Sequence, residues 1–449
     1  MRPLLPHALA VALLLAPTSA RALEVKANGY VSARNEGTAA SDSPLGKVAT
    51  PPAYRFLGEA NGQLRLKWSD AYDAFGDVSL FFSKSTGDEA SPAVQQVNHN
   101  TFLLNELYAN LGFTEQLAGL VGKKRLLWGS GFVNNPTDLI NPPKDPTDPA
   151  FQRAGQYLAR LELTRPEWAA TLVFSPQPLD VEAGLPRRLG VSKGGQAHYA
   201  VAARYYRLIQ NSDVNLMTFF TQRYNDDFQD RVHFGASFSR YFFTDYELHL
   251  EALVHRGAST TVFNPACVQD LAGLAGCVAG GTSPVNEPDR KRLTAKILLG
   301  TRYQFSDESL LSVEYLFNGE GLHAAEFSDR LAFLKLLPLL PPAALLAFGA
   351  GDGGQGGALP NRFSFDPARR HYLFLLYSKP RIRDDFTLAA TGLVGLEDLS
   401  GLVGPSLTWS AKEWLNLALY VFLPFGRAES EFGILPFRGR ATFEARVFY

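Results

Sequence analysis

Six polar side chains near the middle of the chain are spaced as chemistry would need them: His233, Ser239, Glu247, His249, Glu251 and His255. If Phe243–Thr244–Asp245 is a three-residue turn between two strands, His233 falls opposite His255 and Ser239 opposite His249. Glu247 and Glu251 then lie on the diagonals. A serine, an imidazole and a carboxylate are the parts of a hydrolase, and two facing imidazoles begin a metal site. Neither set is completed. No G-x-S-x-G turn surrounds Ser239, and Ser, His and Glu are ordinary residues on any wetted wall. Asp138, Asp145 and Asp148 could gather a cation, yet Asp among Pro and Asn is first of all a turn cap. We expect no enzyme, no cofactor and no metal.

What must position these groups is a wall of strands. In "DYELHLEALVH", Tyr246, Leu248, Leu250, Ala252 and Val254 alternate with Glu247, His249, Glu251 and His255. The stretches "LEVKANGYVSAR" and "QLRLKWSD" do the same, and sustained 3.6-residue periodicity is scarce. About eighteen such segments run through the chain: 24–35, 61–70, 76–85, 101–113, 117–128, 156–164, 167–175, 196–209, 213–224, 231–243, 246–259, 292–305, 308–318, 370–380, 385–397, 402–411, 414–424 and 438–449. Most are as long as a tilted strand must be to cross a bilayer, about 9–11 residues, whereas soluble strands average nearer 5–6.

The connections point the same way. Short turns at Arg165–Glu167, Ser306–Glu308 and Ala411–Glu413 alternate with longer stretches such as 36–60, 86–100, 129–155, 176–195, 260–291, 319–369 and 425–437, although two expected outer connections, 225–230 and 398–401, are short. Tight turns at one end and large loops at the other are the asymmetry of an outer-membrane barrel. Trp68, Trp168, Trp409 and Trp414 all fall at the short-turn ends, where an interfacial aromatic belt belongs. We therefore expect an all-β, transmembrane antiparallel barrel over residues 23–449, embedded in outer-membrane lipid as a monomer or a trimer.

The first residues agree with export. Arg2, the apolar run Ala8–Leu15 and the small residues Ala20 and Ala22 read as a Sec-type signal peptide, residues 1–22. No Cys follows Ala22 to carry a lipid anchor. In an exported chain the neighbouring Cys267 and Cys277 are expected to form a disulfide. Net charge is −1 and the isoelectric point about 6.7, which gives no bulk attraction to nucleic acid. The apolar run Leu331–Phe348 is broken by Pro338, Pro341 and Pro342, so it is no spanning helix. Its leucines must be buried against the barrel, and we expect a lid across the outer mouth, packed on the loops at 129–155 and 260–291.

At the other end, Ala441, Phe443, Ala445, Val447 and Tyr449 form one oily face that finishes on an aromatic. Phe443, Val447 and Tyr449 resemble the C-terminal assembly signal of bacterial outer-membrane barrels, which implies the barrel-assembly machinery as a partner. A last strand that closes onto the first needs no tail.

Reading the polar faces inward gives a charged lumen. Its basic members are Lys26, Arg34, Arg65, Lys67, Arg160, Arg204, Arg223, Lys296, Arg302, Arg440 and Arg446. Glu24, Glu106, Glu162, Glu247, Glu251, Glu314 and Glu444 are the acidic ones. The basic excess favours anionic solutes if the lumen is open, whereas cross-strand pairing would merely hydrate the wall. The stretch "LLWGSGFVNNPTDLINP" also resembles a loop of alginate-export-type and polysaccharide-secretion barrels, through Trp128, Gly129, Gly131, Asn135, Pro136, Asp138, Asn141 and Pro142. That resemblance implies transport of a large or anionic solute, with a periplasmic export partner as one alternative. Another is a closed barrel that scaffolds a surface complex.

Overall fold

In a computed structural model, described for residues 23–48, 50–86, 100–132, 135–141, 155–177, 198–222, 231–257, 260, 262–282, 284–286, 292–340 and 368–449, eighteen strands form one sheet. They are β1 (Glu24–Ala40), β2 (Tyr54–Lys67), β3 (Tyr72–Ser85), β4 (Asn100–Gly112), β5 (Leu117–Lys124) and β6 (Gln156–Thr164). Then come β7 (Trp168–Gln177), β8 (His198–Ile209), β9 (Ser212–Gln222), β10 (Arg231–Phe242), β11 (Tyr246–Arg256) and β12 (Leu293–Gln304). The last are β13 (Leu310–Asn318), β14 (His371–Ile382), β15 (Phe386–Gly395), β16 (Ser400–Lys412), β17 (Leu415–Phe425) and β18 (Phe437–Phe448). Each pairs antiparallel with its neighbours in sequence, and β18 pairs back onto β1 from Tyr30↔Phe448 to Ala40↔Phe437. The sheet is a closed barrel. The expected leader, residues 1–22, lies outside the described residues.

Alternation sorts the two faces as the sequence implies. Leu64, Leu80, Phe102, Leu172, Phe234 and Leu299 project outward and stay exposed, while Glu59, Asp77, His249, Glu251 and Glu314 point inward and are buried. At the short-turn rim Trp168 lies 6.0 Å from the Tyr205 ring, Trp409 stacks on Phe386 at 5.7 Å, and Tyr303 meets Phe305 edge-on at 4.7 Å. These aromatics fit a bilayer interface.

Two expected boundaries move. The stretch 36–60 is not one loop: β1 and β2 continue in register to Gly37↔Tyr54, leaving residues 41–53 as the connection. The stretch expected as a strand to Trp128 leaves the wall after Lys124, because Arg125 turns inward onto Glu106.

Among the described residues the outer connections carry four helices: α1 (Pro44–Val48), α2 (Pro265–Val268), α3 (Leu271–Ala279) and α4 (Ala324–Leu336), the last running into a 3₁₀ turn at Leu337–Leu339. Local chemistry starts them. Asn264 accepts from the Ala266 amide at 3.1 Å ahead of Pro265, and Asp270 accepts from the Gly273 amide at 2.7 Å. The Glu326 carboxylate takes the His323 amide at 2.7 Å. Cys267 and Cys277 are joined, tying α2 to α3.

The apolar run makes a lid, with a correction to its partners. Phe333, Leu334, Leu336 and Leu337 bury against Phe263, Cys267, Val268 and Leu274, and Phe333 stacks on Phe263 at 4.7 Å. That is the expected contact with 260–291. Among the described residues the remaining partners are Leu45 of α1 and Ile434 of the last loop, and none comes from 129–155, of which 133–134 and 142–154 lie outside them. Among the described residues the 129–155 loop is occupied inside the barrel, and Leu45 and Ile434 fill the place expected for it. Residues 341–348 of the run lie outside the described residues. Since α4 leaves the wall at β13 and meets α1 between β1 and β2, it lies over the mouth. Each buried leucine contributes about 1.5–3 kcal/mol.

The last loop, 426–436, is latched by Glu431. Its carboxylate accepts from the Tyr372 hydroxyl at 2.7 Å and the Ala368 amide at 2.8 Å, and its amide donates to Asp398 at 2.8 Å. Burial pushes the Glu431 carboxyl up to about 7, against the hydrogen bonds from Tyr372 and Ala368 and the pull of Arg330.

The closing strand generates one prediction. Tyr449 pairs with Gly29 through both backbone bonds at 3.1 Å, and its hydroxyl donates to the Asn61 carbonyl at 2.9 Å. A Cβ on Gly29 would stand 2.6 Å from that hydroxyl, so a bare α-carbon is needed there. Deleting Tyr449, or Tyr449→Asp, is expected to lower the yield of heat-modifiable barrel in the outer membrane. Wild-type yield would remove the residue from assembly.

The latch generates another. A carboxyl held at about 7 when docked and at 4.5 when free binds its proton more tightly in the docked loop. Docking is then strongest at acid pH and weakens as pH rises towards 7. Hydrogen exchange at 426–436, corrected for intrinsic rates, is expected to speed up between pH 5 and pH 8. In Glu431→Gln that pH dependence should vanish; an equal dependence in the variant would exclude the latch.

Candidate functional site: a loop across the lumen

The connection after β5 turns into the barrel at Arg125. Glu106, on β4, accepts the Arg125 amide at 2.8 Å and its guanidinium at 3.2 Å. Asn141 closes the loop: its side chain bonds both backbone groups of Leu126 and donates to Asp138 at 2.7 Å. Between these ties, Leu126, Trp128 and Ile140 bury against an apolar patch of the inner wall. That patch is made by Tyr108, Leu120, Leu158, Val173, Ala200, Ala202, Met217 and Phe219, from β4 to β9.

Two buried carboxylates hold the far side of the loop. Glu251, on β11 and fully buried, accepts the amides of Ser130, Gly131 (2.7 Å) and Thr137 (3.2 Å) and the Thr137 hydroxyl (2.7 Å). Glu314, on β13, takes the Phe132 amide at 2.6 Å, and the Phe132 ring stacks on Phe374 of β14 at 5.9 Å. Desolvating a carboxylate is costly, and several charge-assisted bonds are what make it tolerable. Gly129 permits the approach. It has φ +90°, and a Cβ there would fall 2.6 Å from a Glu251 oxygen. On an 18-strand ring β14 lies opposite β5, so the loop crosses the bore.

The hydrolase and metal candidates resolve into this anchorage. His233 does pair with His255, with rings 4.7 Å apart, and Ser239 with His249. Ser239, however, turns to Asp213 at 3.5 Å, whereas His249 lies between Glu314 at 3.3 Å and Glu247 at 3.7 Å. The serine and the imidazole do not form a nucleophile–base pair. His255 faces Glu320 at 3.6 Å, which also holds Lys296 at 2.7 Å. Among the described residues no three His, Cys, Asp or Glu side chains gather as a metal site. Asp138 bonds Asn141; Asp145 and Asp148 lie outside the described residues.

The charged residues expected in the lumen divide into two groups. Around β18, β1 and β2, Arg34 sits 3.4 Å from both Glu59 and Glu444, Arg446 2.7 Å from Glu444, and Arg440 3.7 Å from Glu36. Arg302 pairs with Glu247 at 3.1 Å, and Lys67 with Asp70 at 2.7 Å near the short-turn rim. Around β2 to β8 the cations lean on rings instead. Arg65 lies over Phe75 at 5.4 Å, Lys124 over Tyr108 at 3.9 Å, and Arg204 over Trp128 at 5.5 Å. Arg160 has Glu162 at 3.6 Å; Arg204 has no ion pair among the described residues. Arg223 lies outside them. Sequence reading missed Glu36, Arg55, Glu59, Asp77, Lys124 and Arg125. Glu36 was legible as a continuation of the Arg34 alternation, and Arg55 and Glu59 as a continuation of the Arg65 and Lys67 alternation, into the expected 36–60 loop.

No protein-family model matches the chain, and no curated protein matches it. Solved structures do. Pseudomonas aeruginosa OccK1 (OpdK) superimposes with a TM-score of 0.54 at 7% identity, covering 95% of this chain and 98% of that one. Acinetobacter baumannii OccAB3 gives 0.50 at 7% identity, over 95% and 99%. Both are bacterial outer-membrane porins, and at this identity the likeness is one of fold. The chain is an 18-stranded closed antiparallel β-barrel with the fold of an outer-membrane porin.

Proposed function

We propose that the barrel is a channel for hydrophilic solutes with a preference for anions, narrowed by the loop at 125–141 and partly covered by the lid. The observation that carries the preference is how the lumen's acids are engaged. Glu59 and Glu444 face Arg34, Glu36 faces Arg440 and Arg55, Glu106 faces Arg125, and Glu251 and Glu314 are held by loop amides. Arg65, Lys124 and Arg204 rest on aromatic rings and have no ion pair among the described residues, with Glu106, Asp73 and Glu162 as the acids whose charge reaches Lys124 or Arg204. A solute that passes Arg65, Lys124 and Arg204 then meets a positive fixed field. The export reading draws on Trp128, Gly129, Gly131 and Asn141, which serve here to dock the loop, so they do not favour a polymer over a small solute.

Planar-bilayer recordings test both parts. Reversing one lumenal charge about 8 Å from a permeating ion changes its energy by roughly 1 kcal/mol in a watery bore, or about fivefold in relative permeability. Wild type is expected to favour chloride over potassium, and Arg204→Glu to shift the reversal potential towards potassium by about that factor. A cation-selective or silent wild-type barrel would reject the proposal.

The loop's role is read from conductance. Glu251→Ala removes the acceptor of five donors, the amides of Ser130, Gly131 and Thr137 and the hydroxyls of Ser130 and Thr137, each charge-assisted bond being worth roughly 1.5–3 kcal/mol. The loop is expected to leave its seat, giving larger and noisier single-channel currents from a barrel that still shows heat-modifiable migration. Unchanged currents would mean that the loop does not narrow the bore.

A further inference from the structure

The outer wall carries a feature that a passive lipid face does not need. Over β5 to β9, in the half of the barrel next to the short turns, lies a concavity of about 610 Å³. Its outward-facing lining includes Leu161, Leu163, Ala170, Leu172, Ala203 and Tyr205. The dip has a simple cause. Ala170 pairs with Leu163 and Tyr205, and Leu172 with Leu161 and Ala203, so alanines are set among large neighbours. The volume is in the range of small-molecule sites.

Its polar end is basic. Arg207 follows Tyr205 on the same face of β8 and pairs across the sheet with Trp168. Arg240, two strands along on β10, pairs with Ser212 and Leu248 and also faces outward. Neither arginine has a carboxylate partner among the described residues, and Glu167, in the adjoining turn, pairs with neither. The Arg240 Nε is buried without a hydrogen-bond partner, and its guanidinium lies over Phe242 at 5.1 Å. Strands two apart are separated by roughly 10 Å, within the combined reach of two arginine arms.

We propose that this surface binds one glycerophospholipid of the periplasmic leaflet, with an acyl chain in the concavity and the phosphate between Arg207 and Arg240. Arginine forks match phosphate oxygens, and Trp168 and Tyr205 suit the glycerol level beside them. A second copy of the chain is a poorer occupant, because it would have to bring a carboxylate to an outward face that offers none beside either arginine. The site lies on the outside of the barrel and does not depend on what the lumen conducts.

Native mass spectrometry of the detergent-solubilised barrel, titrated with phosphatidylglycerol, tests this. Wild type is expected to retain one lipid. The double variant Arg207→Gln, Arg240→Gln should bind it roughly tenfold more weakly, as loss of charge-assisted bonds implies. Ala203→Phe should displace the lipid by filling the concavity, with both arginines intact. Heat-modifiable migration establishes that each variant is folded; if Ala203→Phe is not, the double variant decides alone. Equal retention by wild type and the double variant would overturn the site. So would equally tight binding of inorganic phosphate, or a disulfide-linked dimer through Ala203→Cys that excludes the lipid.

Discussion

Inside hydrocarbon an unpaired backbone amide or carbonyl has no water to turn to, and the whole molecule follows from meeting that demand. A sheet meets it only if it has no edge. Here the last strand supplies the missing partners of the first, through the run of pairs from Tyr30↔Phe448 to Ala40↔Phe437. Closure dictates the rest. Side chains must alternate between lipid and lumen, one end carries only short turns, and the long connections gather at the other, where α1 to α4 can pack together.

Closure also creates an interior problem, which is charge. The inward faces carry many carboxylates, several of them with almost no exposure. The chain handles them in two ways. On the β18–β2 side they face arginines across neighbouring strands. On the β11–β13 side they are met by peptide amides of an inserted loop. The second solution uses the wall to hold the loop and the loop to satisfy the wall, so neither is stable in that form without the other.

Much of this was legible in the sequence because period-two alternation is a direct image of a two-faced wall, and because Trp68, Trp168, Trp409 and Trp414 mark one rim. The facing of His233 with His255 and of Ser239 with His249 followed from one turn length. Legibility failed where the pattern thins. Gly37, Gly58 and Ala60 carry too little side chain to show which face is oily, so β1 and β2 were cut short. It failed again where a lumen face is apolar. Tyr372, Phe374, Leu376, Leu393 and Leu402 point inward, and only the loops that cover them, through Phe132 and Phe432, explain why. Nor could spacing name the lid's partners, since Leu45 and Ile434 come from opposite ends of the chain and meet α4 only because the ring closes.

A wide ring of strands is compliant: hydrogen bonds between neighbours fix spacing along the circumference but resist flattening weakly. The inserted loop is rooted at β5, seated in the patch from β4 to β9, and tied to β11, β13 and β14 on the far side. It is therefore a crossbeam as well as a constriction. Its length sets the separation of the two walls, and the roundness of the barrel depends on a segment that belongs to neither.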